Sequence, residues 1–318
     1  MSLATTLLKT ALKEKLKQEL NDELREKFFP PSLEDQILTE VRQIAKTLEE
    51  VKNEVARIRI QPSVQAFNEE VDYYLHTIIP GIKRELANKN PNSKAILELA
   101  NAGRDHCIIF RGKIFNSWTV ISEKSDSCDF AVRRLFQVTR NMCSLYLAML
   151  TWTWCLYDRL NNNKANECKD YINACLDDVP TKCSDFASKL AQARKSKIIT
   201  IYNVEKPYTY YDRDRGVSVL TSKKVYCIYE DTFSSTEESD PFKCSTFSYK
   251  IDKENTFWNP FSPSGASMAS ALSQADNYMG QAQTYRETVM NLINENIIDP
   301  NSSFLKDWNS AVAELSIK

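Results

Sequence analysis

The chain has 318 residues, of which 42% are hydrophobic, 10% aromatic and 26% charged, with 41 Lys and Arg against 42 Asp and Glu. That is enough apolar material for a core, which excludes wholesale disorder, and the lack of a basic excess argues against a dedicated nucleic-acid binder. Six glycines and two histidines leave little for glycine-cradled phosphate sites, multi-turn β architectures or imidazole chemistry.

At roughly 100–200 residues per domain, this length predicts two domains or one with an insertion. In the opening stretch MSLATTLLKTALKEKLKQEL, lysines interrupt any apolar run, so it does not read as a signal peptide. Localisation stays open between an intracellular protein and one exported by another route. Leu8, Leu12, Leu16, Leu20, Leu24 and Phe28 recur at every fourth position and predict an amphipathic helix over 3–28. Pro30 and Pro31 end it. Ser32 then reads as the N-cap of a second helix. Inside that helix Ile37, Val41, Ile44, Leu48, Val51, Val55 and Ile58 alternate steps of four and three, with charged residues around them. These are the candidate assembly residues, either as part of one long bundle or as an intermolecular coiled coil, and a homo-oligomer is expected.

Further helices are predicted over 63–88, kinked at Pro80-Gly81, and over 94–121 after a turn at 88–93. A polar run at 122–128 precedes the most hydrophobic helix, 129–162. Asn161, Asn162 and Asn163 end it, and two shorter helices, 165–178 and 181–197, follow on either side of Pro180.

At residue 198 the pattern changes. Residues 198–202, 217–228 and 246–251 are rich in β-branched and aromatic side chains and read as strands, with a turn at 212–216. Tyr208, Tyr210, Tyr211, Tyr226 and Tyr229 are candidates for surface binding of sugars, lipid headgroups or protein, or else cover one face of a thin sheet. From 262 helix returns, with Met268, Leu272, Ala275, Met279 and Ala282 in heptad steps. A last short helix follows Pro300. The expected fold class is therefore mainly α, a long-helix bundle with a small antiparallel β insertion. Residues 1–197 form the bundle (an N-terminal pair at 1–61 and core helices at 62–197), 198–261 the β-rich unit, and 262–318 C-terminal helices packing back on the bundle.

Residues 141–157, NMCSLYLAMLTWTWCLY, carry no charge. As a helix they span roughly 25 Å, just short of a hydrocarbon core of about 30 Å. Such a helix is either apolar all round because other helices surround it, or also an element that inserts into membranes. Leu145, Leu147, Met149, Leu150, Trp152, Trp154 and Leu156 are the insertion candidates, the tryptophans suiting an interface. The segment FQVTRNMCSLYLAMLTWTWCLYDR (136–159) resembles, in pattern, the central helix of the pore-forming domain of δ-endotoxin-type proteins. The helix at 37–58 resembles one of their outer helices, so the resemblance covers residues 32–197. Long-helix haemolysins with a small β-rich head are similar in outline. This resemblance implies a non-enzymatic pore former of the toxin type, with membrane lipid or a surface receptor as partner. The alternative is a structural or interaction protein that assembles through its heptad helices.

The nine cysteines contain no Cys-x-x-Cys, and neither histidine falls in a zinc pattern, so no structural metal is expected. The spacing admits disulfides Cys168–Cys183, across a turn at Pro180, and Cys227–Cys244, between strands; buried reduced thiols are the other reading. Asp105-His106-Cys107 invites a Cys–His pair, but neighbours on a helix point about 100° apart. The turn at 212–216 has two aspartates, yet Lys223 stands where a calcium loop needs a bidentate Glu. Glu230, Asp231, Glu237, Glu238 and Asp240 read as a solvated acidic loop, or less simply as a cation-attracting one. No catalytic, metal or cofactor motif emerges, and a non-enzymatic protein without a cofactor is expected.

Overall fold

The computed structural model describes residues 69, 73–78, 80–81, 84–85, 92–198, 202–235, 237–238, 240–243, 248–254 and 264–316. The fold is mainly α. Its elements are α1 (Ser93–Lys124), α2 (Phe130–Arg159), α3 (Lys164–Ser196), β1 (Tyr202–Asp212), β2 (Val217–Glu230), β3 (Ser248–Glu254), α4 (Ser264–Ile293) and α5 (Asp299–Ser316). The helix expected at 3–28 and the candidate assembly residues Ile37, Val41, Ile44, Leu48, Val51, Val55 and Ile58 lie outside the described residues, as does most of 63–88. Two compact units are present: one extends to Leu190 and resumes at Ile298, and the other is Ala191–Ile297.

In the first unit, α1 starts where Asn92 caps it. The Asn92 side-chain oxygen accepts from the Lys94 and Ala95 N–H groups at 3.0 and 3.4 Å. Its buried residues Ile96, Ala100, Gly103, Cys107, Phe110, Ile114 and Trp118 step by three or four, one face of a 3.6-residue helix. Against that face α2 runs antiparallel. Phe110 stacks on Tyr146 (6.3 Å), Trp118 meets Phe136 (6.2 Å), and the Tyr157 hydroxyl donates to Asn101 at 2.8 Å. The approach is close at Gly103, where a Cβ would stand 3.0 Å from Thr153 Oγ1. Returning parallel to α1, α3 stacks Phe186 on Trp118 at 5.3 Å. Phe304 and Trp308 of α5 are buried in the same unit.

The two helices expected on either side of Pro180 are one helix, α3, with Pro180 inside it. A proline there removes one backbone hydrogen bond. The buried stripe Ile172, Cys175, Val179, Cys183, Phe186 and Leu190 continues through it without a change of face, and that packing holds the helix together. The Cys168–Cys183 disulfide expected across a turn does not form. Both thiols are free, and on one helix fifteen positions separate them by roughly 22 Å. Cys107, Cys128, Cys143 and Cys175 are likewise buried thiols outside any disulfide. The Cys227–Cys244 pairing lies outside the described side chains.

The expected pore-forming function is overturned. Among the described residues no helix is long and apolar enough to cross a membrane. The reason is visible in α2. Its uncharged stretch is bounded by Arg133, Arg134, Arg140 and Asp158 within the same helix, and is broken by Ser144, Thr151 and Thr153. Those hydroxyls donate to the carbonyls four residues back, at 3.5, 2.8 and 2.9 Å. The insertion candidates Leu145, Leu147, Met149, Leu150, Trp152 and Leu156 are core residues, and Trp154 is half-buried. Their apolarity answers to being surrounded by protein.

In the second unit the three strands form an antiparallel sheet in the order β1-β2-β3. Tyr202, the end of the strand expected at 198–202, lies in β1, the expected 217–228 lies in β2, and the last strand is Ser248–Glu254; residues 199–201 and 246–247 lie outside the described residues. The β1–β2 turn closes at Gly216, whose φ of 66° is in the left-handed region. Asp212 spends its carboxylate on that turn, accepting from the Asp214 and Arg215 N–H groups at 3.0 and 3.3 Å. Pro207 sits in β1, an edge strand, where a missing N–H is tolerated. The register shifts between Tyr208 and Thr209. Ala275, Ala282 and Val289 of α4 are buried at seven-residue intervals. Tyr229 is wholly buried and its hydroxyl donates to the Ala275 carbonyl at 2.7 Å, so it is no surface binder. Its small partner residue permits that approach.

Candidate functional site

The second compact unit buries a pair of opposite charges, and the first contains a cavity. In the second unit, Arg194 at the end of α3 is fully buried and grips Asp231 with both Nη atoms, at 3.1 and 2.8 Å. Asp231 also accepts from the Phe233 N–H at 3.0 Å and from the Tyr285 hydroxyl at 2.8 Å. The guanidinium lies 4.4 Å from the Phe233 ring centre and 5.6 Å from that of Phe242. Four donors saturate the carboxylate, leaving it nothing to offer a ligand. The acidic loop expected to be solvated is therefore partly core: Asp231 and Asp240 are buried, whereas Glu230 and Glu238 are exposed. Among the described residues no group of acidic, His and Cys side chains is placed to hold a metal ion.

The cavity has a volume of about 410 Å³ and lies between α1 and α3, with α2 beneath. Its α1 wall carries Arg104, Ile108, Arg111 and Phe115, spaced by four, three and four, so one helical face supplies them. The floor is Tyr146 and Leu150 of α2; the opposite wall is Cys168 and Tyr171 of α3. This face stands apart from the core stripe of α1. Ile108 and Phe115 are 45% and 62% exposed, unusual for large apolar side chains that sit beside each other on a helix.

The electrostatics of the cavity follow from its pairs. Arg104 donates from Nη2 and Nε to the two carboxylate oxygens of Glu167, at 2.7 and 3.2 Å. That hydrogen bonding holds the Glu167 carboxyl below its usual range and raises Arg104. The pair neutralises itself. Arg111 has no carboxylate partner among the described residues; its guanidinium rests 5.1 Å from the Tyr171 ring centre. None of the lining residues is a carboxylate. Among the described residues, Arg111 is therefore the lining charge without a carboxylate partner.

Tyr146 is 5% exposed, stacks on Phe110, and its hydroxyl hydrogen-bonds to none of the described residues. Burial pushes its ionisation far up, with the Arg111 charge pulling the other way. Cys107 is also pushed far up by burial, while a hydrogen bond from Thr153 opposes the shift. Burial pushes Cys168 up to about 11. Both are protonated thiols rather than nucleophiles. His106, beside Cys107 in the sequence, stacks on Tyr73 at 4.1 Å.

Most of the cavity residues were not singled out from the sequence. Leu150 was, as an insertion candidate, and it lines the floor. A second apolar pair on α1, Ile108 and Phe115 at seven-residue spacing outside the core stripe, was the available signal. Tyr208, Tyr210, Tyr211 and Tyr226 fall in β1 and β2, and their side chains lie outside the description. No family model, curated protein or solved structure matches the chain.

Proposed function

We propose that the protein is a non-enzymatic binding protein and that the groove between α1 and α3 is its ligand site. One observation carries this reading: a cavity of about 410 Å³ is walled by the exposed apolar side chains of Ile108 and Phe115, floored by Tyr146 and Leu150, and lined by Arg111, which has no carboxylate partner among the described residues. Ligand pockets of roughly 300–1,000 Å³ combine apolar walls with a few placed polar groups. The protonated state of Cys107 and Cys168 supports binding over nucleophilic catalysis at this wall.

Titration with a neutral solvatochromic naphthalene dye tests the site. Gly112 lines the groove and a Cβ there would meet nothing within 4 Å, so Gly112→Phe is the variant chosen to obstruct it. The expected result is saturable, blue-shifted emission with the native chain and none with Gly112→Phe, at unchanged helix content. Equal emission from both proteins, or none from either, would remove the groove as the ligand site.

A further inference from the structure

We propose that the groove selects amphipathic anions, binding an alkyl or aryl carboxylate whose head sits between the Arg111 guanidinium and the Tyr146 hydroxyl. This rests on the groove being a ligand site and adds the class of ligand. Three observations converge on it. Among the described residues Arg111 is the cavity charge without a carboxylate partner, since Glu167 is held by Arg104 at 2.7 Å and no carboxylate lines the walls. Tyr146 lines the cavity floor with a hydroxyl that hydrogen-bonds to none of the described residues, and a carboxylate oxygen is the strongest acceptor a small organic ligand brings. Arg111 and Tyr146 line the same cavity. A single anionic group can therefore meet both.

The apolar part of the ligand has its own partners. Ile108 and Phe115 leave much of their surface to solvent, and Leu150 closes the floor between them. Covering that surface favours a ligand with a hydrocarbon or aromatic tail, at roughly 25 cal/mol for each Å² removed from water. Inorganic anions lack the tail, and neutral lipids lack the charge. Tyr171, whose ring lies under Arg111, holds the guanidinium over the cavity, and its hydroxyl donates to Glu167 at 3.4 Å.

The test is isothermal titration of the full chain with octanoate, octanol and octylamine, which share a tail and differ in the head. Octanoate is expected to bind about tenfold more tightly than octanol, and octylamine more weakly than either. Arg111→Gln should lower octanoate affinity about tenfold and leave octanol unchanged. Tyr146→Phe should lower it by about fivefold. Arg111 is exposed, so its replacement does not disturb the core. If octanol equals octanoate and Gly112→Phe abolishes both, the groove binds ligands and the anion preference is wrong. If octanoate is unaffected by Arg111→Gln, the preference is equally wrong. If none of the three binds, both the preference and the groove as a ligand site are wrong.

Discussion

The surroundings of Arg194 and of Arg140 show two ways of burying a guanidinium. Arg194, in the sheet-containing unit, meets a carboxylate with two hydrogen bonds, and that carboxylate is itself saturated by Phe233 and Tyr285. Arg140, in the helical unit, is 6% exposed and has no carboxylate partner among the described residues. Its Nη1 donates to Asn301 at 3.4 Å, and the Phe136 and Phe304 rings lie 4.9 and 5.7 Å from its guanidinium carbon. Burial lowers its pKa to about 10. The difference teaches where each unit is vulnerable. One concentrates its polar stability in a single pair. The other spreads uncompensated desolvation over an arginine and a row of thiols.

The largest effect is expected from those thiols. Burial raises Cys107, Cys143, Cys168, Cys175 and Cys183 above the ordinary 9.0, Cys175 and Cys183 to about 12. The unfolded chain ionises them first. Their contribution is therefore complete below pH 9 and is lost as pH rises toward 12, by about 1.4 kcal/mol per thiol and pH unit. Urea midpoints taken from pH 8 to pH 10 should fall steeply; a flat profile would break the comparison. Next, Asp231→Ala leaves Arg194 buried and alone, and should cost about 3–5 kcal/mol in denaturant unfolding. A loss under about 1 kcal/mol would mean that the Phe233 and Phe242 rings hold Arg194 without the carboxylate. For Arg140 the sign reverses. Arg140→Met removes a desolvated charge from between two rings and should raise stability by about 1–2 kcal/mol. A decrease would show that the aromatic faces more than compensate for its burial. Smallest, Tyr285→Phe deletes one of four hydrogen bonds to Asp231 and should cost about 1 kcal/mol.

Much of the helical architecture was legible in the sequence, because a buried helical face writes a three-and-four spacing. The stripe from Ile96 to Trp118 is such a case, and α1 ends within three residues of its expected bounds. The turn at 212–216 was legible for a local reason, since Asp and Gly suit its backbone without help from elsewhere. Pro180 misled because a local breaking tendency of a few kcal/mol competes with an entire buried stripe, and the stripe prevailed. The uncharged run of α2 misled because composition alone does not say whether an apolar helix faces protein or lipid.

The candidate site was the least legible part. Arg104, Arg111, Tyr146 and Tyr171 come from three helices, and nothing in their local sequence marks them as neighbours. The same holds for Arg194 and Asp231, thirty-seven residues apart, where an acid in a polar loop became a buried counter-ion. What the sequence determined by itself is what depends on neighbours along the chain: helical period, caps and turn backbone. Only the tertiary structure decided which charges are neutralised, which thiols are protonated and which side chains line the cavity. Those outcomes depend on distances across helices and on exclusion of water, and neither is set by residues adjacent in sequence.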